Sequence, residues 1–101
     1  MENRLLGMFS ISRKAGKLVF GFDSVKEQLV KTPSCAVYLA CDISEKSEKE
    51  VNFICSKSGT KISKTPLSMF QISSITGRLN GVWCVTDENL SKKIDSILQG
   101  V

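Results

Sequence analysis

Apolar residues near the N-terminus recur at helical spacing: Leu5, Leu6, Met8, Phe9 and Ile11 form one stripe, and Arg13 and Lys14 follow it before Gly16. This periodicity predicts an amphipathic helix over residues 3 to 14, with its cations where the helix dipole is negative. Lys17-Leu18-Val19-Phe20 then reads as a short extended piece that reaches Gly21. Val25, Gln28 and Leu29 resume helical spacing, which predicts a second helix from about residue 22 to about residue 31, broken by Thr32-Pro33.

The apolar run Ala36 to Cys41 has strand length and no polar alternation, as expected of a strand buried on both faces, and it ends at Asp42. Ser44 and Ser47 are candidate N-caps. Ser47-Glu48-Lys49-Glu50 fits a capping box, and Val51, Ile54 and Cys55 mark one face of a helix that closes at Ser58-Gly59. Lys61 to Lys64 is a short strand. Thr65-Pro66 is expected to open a fourth helix with Pro at its first position and Met69, Phe70 and Ile72 turned inward, before a loop Ser73-Ser74-Ile75-Thr76-Gly77-Arg78. Gly81 to Thr86 is the last strand; Asp87 caps a final helix carrying Leu90, Ile94, Ile97 and Leu98, with Gly100 as its stop. Helices and strands therefore alternate along the whole chain. That order predicts an α/β fold, a three-layer α/β/α sandwich around a four-stranded mixed sheet, as a single domain over residues 1–101.

With 101 residues, 42% of them hydrophobic, the chain is long enough for one core without disulfide or metal staples. No apolar run reaches the ~18 residues of a membrane span, and the charged start Met1-Glu2-Asn3-Arg4 is unlike a signal peptide, so the expectation is a cytoplasmic monomer with no membrane partner. Histidine is absent. That removes the usual general base, the Ser-His and Cys-His dyads and the commonest zinc ligand, and it argues against an enzyme. Cys35, Cys41, Cys55 and Cys84 are widely spaced with no C-x-x-C, which predicts reduced and mostly buried thiols rather than a metal site. No cofactor is implied.

The formal charge of +4 is uneven: Arg4, Arg13, Lys14, Lys17, Lys26 and Lys31 outnumber Glu2, Asp23 and Glu27 in residues 1–33, so the basic excess lies in the first third. There the segment from Ser12 to Glu27 places cations beside a glycine turn. Gly21 permits a close backbone approach, and the helix after it offers unpaired N–H groups and a positive dipole end to an anion. Lys14, Lys17 and Lys26 would add contacts to a phosphate backbone, while Asp23 and Ser24 at the helix start could read base edges. The plainer reading is that Gly21 and Asp23 only turn and cap the helix. The loop from Ser73 to Arg78 could supply an apolar finger, Ile75, and a cation, Arg78, at the same end of the sheet. No Walker loop and no G-x-G-x-x-G occurs. Asp42 and Asp87 sit where a turn or N-cap favours aspartate, and Trp83 sits mid-strand as a core residue would.

The string Ser12-Arg13-Lys14-Ala15-Gly16-Lys17-Leu18-Val19-Phe20-Gly21 resembles the signature near the start of the bacterial YlxQ family, a branch of the kink-turn RNA-binding ribosomal protein superfamily with the large-subunit ribosomal protein eight and thirty types. The likeness continues in Leu39-Ala40-Cys41-Asp42, in Ser44-Glu45-Lys46-Ser47 and in Val85-Thr86-Asp87. The resemblance implies a noncatalytic RNA-binding protein of the translation apparatus, associated with the ribosome. It would bind structured RNA, ribosomal or kink-turn, through the start of the second helix and the loop before the last strand. Its site would comprise Arg13, Lys14, Lys17, Gly21, Phe22, Asp23, Ser24, Lys26 and Glu27, with Ser74, Ile75, Thr76 and Arg78 from the loop. Three positions depart from the superfamily motif: Asp23 stands for asparagine, Ser24 for glutamate and Glu27 for lysine, and only Gly21 is kept. Asp23 is acceptor only, and Glu27 reverses a charge. Either kink-turn readout is lost or guanines are read in another way, with Lys26 supplying charge. The alternative is a protein-interaction module on the same scaffold, docking a ribosomal or translation-factor partner.

Overall fold

The computed structural model describes residues 2–32 and 35–100. In chain order the elements are α1 (Glu2–Lys14), β1 (Leu18–Phe20), α2 (Phe22–Lys31), β2 (Ala36–Leu39), α3 (Glu45–Ser58), β3 (Ile62–Lys64), α4 (Met69–Thr76), β4 (Val82–Val85) and α5 (Glu88–Gln99). The four strands form one mixed sheet in the order β1-β4-β2-β3. β4 is antiparallel to both its neighbours, and β2 and β3 are parallel. The alternation read from the sequence is therefore the alternation found, and Pro33, assigned there to the helix break, lies outside the described residues.

Side chains of the central strands divide between two cores, as the period of two requires. Ala36, Tyr38, Trp83 and Val85 pack with Leu5, Phe9, Ile72 and Ile94, from α1, α4 and α5. Val37, Leu39, Val82 and Cys84 pack with Val25, Leu29, Val51 and Cys55, from α2 and α3. Every residue of β2 and β4 is buried, so a continuous apolar run marked a strand covered by helices on both faces. On the first face Phe9 sets its ring edge-on to Tyr38 at 5.2 Å and to Trp83 at 5.4 Å between ring centroids. Trp83 is fully buried, in accord with its mid-strand position.

The helix ends differ from expectation at three places. Ser44 alone is the N-cap of α3, its hydroxyl accepting from the Ser47 amide at 3.2 Å, so Ser47 lies inside the helix. α4 does not begin at Pro66. It begins after Ser68, whose hydroxyl accepts from Gln71 N at 3.0 Å while Gln71 Oε1 accepts from Ser68 N at 2.8 Å, a reciprocal box that outcompetes the proline start. Thr65 instead turns into the core, where its hydroxyl donates to the Leu39 carbonyl at 2.8 Å. With that later start, residues 73–76 are the last turn of α4 rather than loop, and Gly77, at φ 79°, ends the helix. Phe70, expected inward, lies 79% exposed because Ile72 and Thr76 take the buried side of this short helix. Ile11 is likewise exposed at the end of the α1 stripe.

The two candidate carboxylates are caps. Asp87 Oδ1 accepts from Leu90 N at 2.9 Å at the start of α5, and Asp42 Oδ1 accepts from Met69 N at 2.9 Å at the start of α4. The four cysteines are free thiols, with Cys35, Cys55 and Cys84 buried and Cys41 exposed. Although far apart in sequence, the three buried ones share the α2 and α3 core. Hydrogen bonding to Cys35, with burial behind it, pushes the Cys84 thiol up, and burial pushes Cys55 up to about 11. No group of histidine, cysteine or carboxylate side chains among the described residues could hold a metal ion, and no helix there is long and apolar enough to cross a membrane.

Candidate nucleic-acid interface

At one end of the sheet, β1 finishes where β4 begins: the Gly21 amide donates to the Val82 carbonyl at 3.0 Å, and the Ala40 amide to the Gly81 carbonyl at 2.9 Å. β1, β2 and β3 all point this way, since β1 and β2 each oppose β4 and β3 parallels β2. The carboxyl ends of these strands, the N-terminus of α2 and the C-terminus of α4 therefore converge. A groove of about 770 Å³ opens there, walled on one side by Phe20 to Ser24, with Arg13 against Phe20, and on the other by Thr76 and Arg78 to Asn80. The expectation that Gly21 and the segment around Arg78 stand at one end of the sheet is met.

Gly21 turns the chain from β1 into α2 with φ 92° and ψ 145°, a conformation open to glycine, and no side chain caps the helix that starts there. The N–H groups of this first turn thus face the groove with the positive end of the helix dipole and without a side-chain acceptor. Arg13 reaches the same space from α1, its guanidinium 5.2 Å from the centroid of the Phe20 ring, a stacking contact that holds the cation at the groove wall. On the far wall Thr76 and Asn80 tie down the turn that carries Arg78. Thr76 Oγ1 donates to the Arg78 carbonyl at 2.8 Å, and Asn80 Nδ2 donates to that carbonyl at 3.0 Å and to Thr76 Oγ1 at 3.1 Å. Two arginines and a helix N-terminus face one carboxylate, that of Asp23. Such a surface attracts an anion, and its apolar parts, Val19, Phe20, Phe22 and Leu79, offer a flat base something to lie against.

Of the residues singled out from sequence, Arg13, Gly21, Phe22, Asp23, Ser24, Thr76 and Arg78 line this groove. The others do not. Lys17 lies at the opposite end of β1, where its carbonyl accepts from Thr86 N, four residues and about 13 Å of strand from Gly21. Lys14 stands in the last turn of α1 outside the groove lining, and Lys26 lies on the side of α2 that faces α3. Glu27 and Ser74 are exposed but also outside the groove lining, so the charge reversal at Glu27 does not enter it. Ile75 packs onto the core instead of forming a finger. The exposed apolar side chain is Leu79, at 66%, one residue beyond Arg78. Leu79, Asn80, Val19 and Phe20 were not singled out from sequence. The turn-forming cluster Gly77, Asn80 and Gly81 was the available signal that the connection lay there and not at residues 73–76.

No protein-family model matches the chain, and no curated protein matches its sequence. In structure it is similar to a protein of unknown function from Bacillus halodurans C, with a TM-score of 0.82 and 17% sequence identity over 94% of this chain and 96% of that one. Likeness at that identity is a likeness of fold.

Proposed function

We propose that the chain is a small noncatalytic RNA-binding protein of the translation apparatus, similar in kind to the YlxQ branch of the kink-turn binding superfamily, and that it grips structured RNA in the groove at Gly21. The observation that carries this reading is the convergence of Arg13, Arg78 and the uncapped start of α2 on one concave surface. Phosphate oxygens would accept from the first-turn amides of α2 and from the two guanidinium groups, which gives affinity without sequence information. Phe20 and Leu79 give a splayed base an apolar wall. A straight duplex keeps its bases stacked, so an RNA with unpaired, turned-out bases is the better fit. At the guanine-reading positions Asp23 and Ser24 present acceptors and a hydroxyl, and they favour partners that donate, such as base amino groups.

The test is charge reversal on both sides of the groove. Arg13→Glu with Arg78→Glu is expected to weaken binding of a kink-turn RNA about a hundredfold, while Lys14→Glu with Lys17→Glu, outside the groove, loses less than about tenfold through long-range attraction. Equal losses in the two double variants would place the interface elsewhere. Unchanged affinity in the arginine pair would remove the RNA reading of this groove and favour a protein ligand on it.

A further inference from the structure

The layer formed by α2 and α3 has an outer face that the fold itself leaves unused. Both helices connect parallel strands, so they run side by side in the same direction over one side of the sheet. On the solvent side a groove of about 470 Å³ lies between them, with Leu29 and Ile54 in it and Val30 and Phe53 along it. Val30 is 83% exposed and Phe53 60%, although the core beneath them is closed by Val25, Leu29, Val51 and Cys55. Two large apolar side chains on adjacent helices thus stand in water beside each other without serving the interior.

The charged side chains that line this groove are both cations. Lys26 lies one helical turn before Val30, and Lys57 one turn after Phe53, its Nζ 4.6 Å from the ring centroid. No carboxylate lines the groove, and among the described residues neither lysine forms an ion pair. The carboxylates in the first turn of α3 are engaged elsewhere, Glu45 with Lys49 at 3.5 Å and Glu48 with Lys64 at 3.2 Å. We propose that this face is a docking site for an amphipathic protein helix whose apolar stripe covers Val30 and Phe53 and whose carboxylates meet Lys26 and Lys57. The apolar contact supplies affinity, and the two cations fix the orientation and exclude basic segments. A nucleic acid suits the face poorly: unlike the groove at Gly21, it has no helix N-terminus beside its two cations, and the Phe53 ring already carries the Lys57 ammonium on one side. The face is separate from the groove at Gly21, because α2 turns Asp23 and Ser24 toward that groove and Lys26 and Val30 toward this one. RNA and a protein partner can therefore be held at once.

The experiment titrates the full isotope-labelled chain with a synthetic helical peptide that has a leucine and phenylalanine stripe flanked by glutamates, and with the same peptide carrying lysine in place of glutamate. Amide shifts are expected at Val30, Phe53 and Lys57 and not at Gly21 or Arg78, and the acidic peptide is expected to bind at least about tenfold more tightly than the basic one. Lys26→Glu with Lys57→Glu should reverse that preference, and Phe53→Ser should weaken both peptides, with the thermal midpoint of each variant unchanged because these side chains are exposed. Equal affinity for the two peptides, or shifts spread away from this face, overturns the proposal. So does a duplex or kink-turn RNA that shifts Val30, Phe53 and Lys57, since the occupant would then be nucleic acid. Failure of RNA to bind at Gly21 leaves the peptide result unaffected.

Discussion

At Gly21 the backbone adopts φ 92°, and a Cβ added there would meet no atom within 4 Å. The requirement for glycine is conformational and not steric, so Gly21→Ala is expected to cost about 1–3 kcal/mol, the price of holding a side-chain-bearing residue in that region. Urea unfolding measures it directly: a clear drop in midpoint is predicted, and an unchanged midpoint would mean that the turn from β1 into α2 relaxes freely. The same residue illustrates what was legible from sequence. A glycine between a strand and a helix announces a turn with exposed helical N–H groups; Arg13 and Asp23 followed from its neighbourhood, and Arg78 from the small-residue segment before the last strand. The side on which a cation points was not legible. Lys26 is five residues from Gly21 yet belongs to the α2 and α3 face, and Lys17 is four residues away yet at the far end of a strand. Counting charge along a chain records proximity in sequence, while a helix turn or a strand length decides proximity in space.

Among the elements, β2 and β4 were the most plainly written, because four consecutive apolar residues bounded by turns leave little but a buried strand. α4 was the least. Thr65-Pro66 and Ser68-Met69-Phe70-Gln71 both carry start signals, and the second wins because Thr65 is needed in the core, where both its amide and its hydroxyl donate to the Leu39 carbonyl. The consequence reaches the candidate site. Starting α4 at Met69 carries the helix through Thr76 and moves the connecting turn to residues 77–81, which exchanges Ile75 for Leu79 as the exposed apolar residue beside Arg78. Asp42 holds the same helix start from the end of β2, a contact across 27 residues that no local pattern encodes.

At the scale of the whole molecule, the sequence supplied the layers but not the strand order. Placing β4 between β1 and β2 brings Gly21 and Asn80 to one groove, and it follows from pairing rather than from any residue pattern. The same packing fixes how the molecule responds to alkali. An unfolded thiol loses its proton near 9.0, whereas burial holds Cys55 to about 11, and burial with the Asp95 carboxylate beside it raises Tyr38 well above its ordinary value of 10.0. Between those limits the unfolded chain binds fewer protons than the folded one, so stability falls as pH rises. The urea midpoint should be flat between about pH 6 and about pH 8 and decline from about pH 9 upward; a flat profile to about pH 11 would contradict the burial of these groups. The central claim, that the groove between α2 and the turn after α4 grips RNA with turned-out bases, is tested most directly by titrating the protein into a labelled kink-turn RNA and into a duplex of equal length, at about 50 mM and about 200 mM salt. Tighter binding to the kink-turn, weakening about tenfold or more across that salt range, is the predicted result for two to three phosphate contacts. Equal affinity for both RNAs, or no binding at the lower salt, would contradict it.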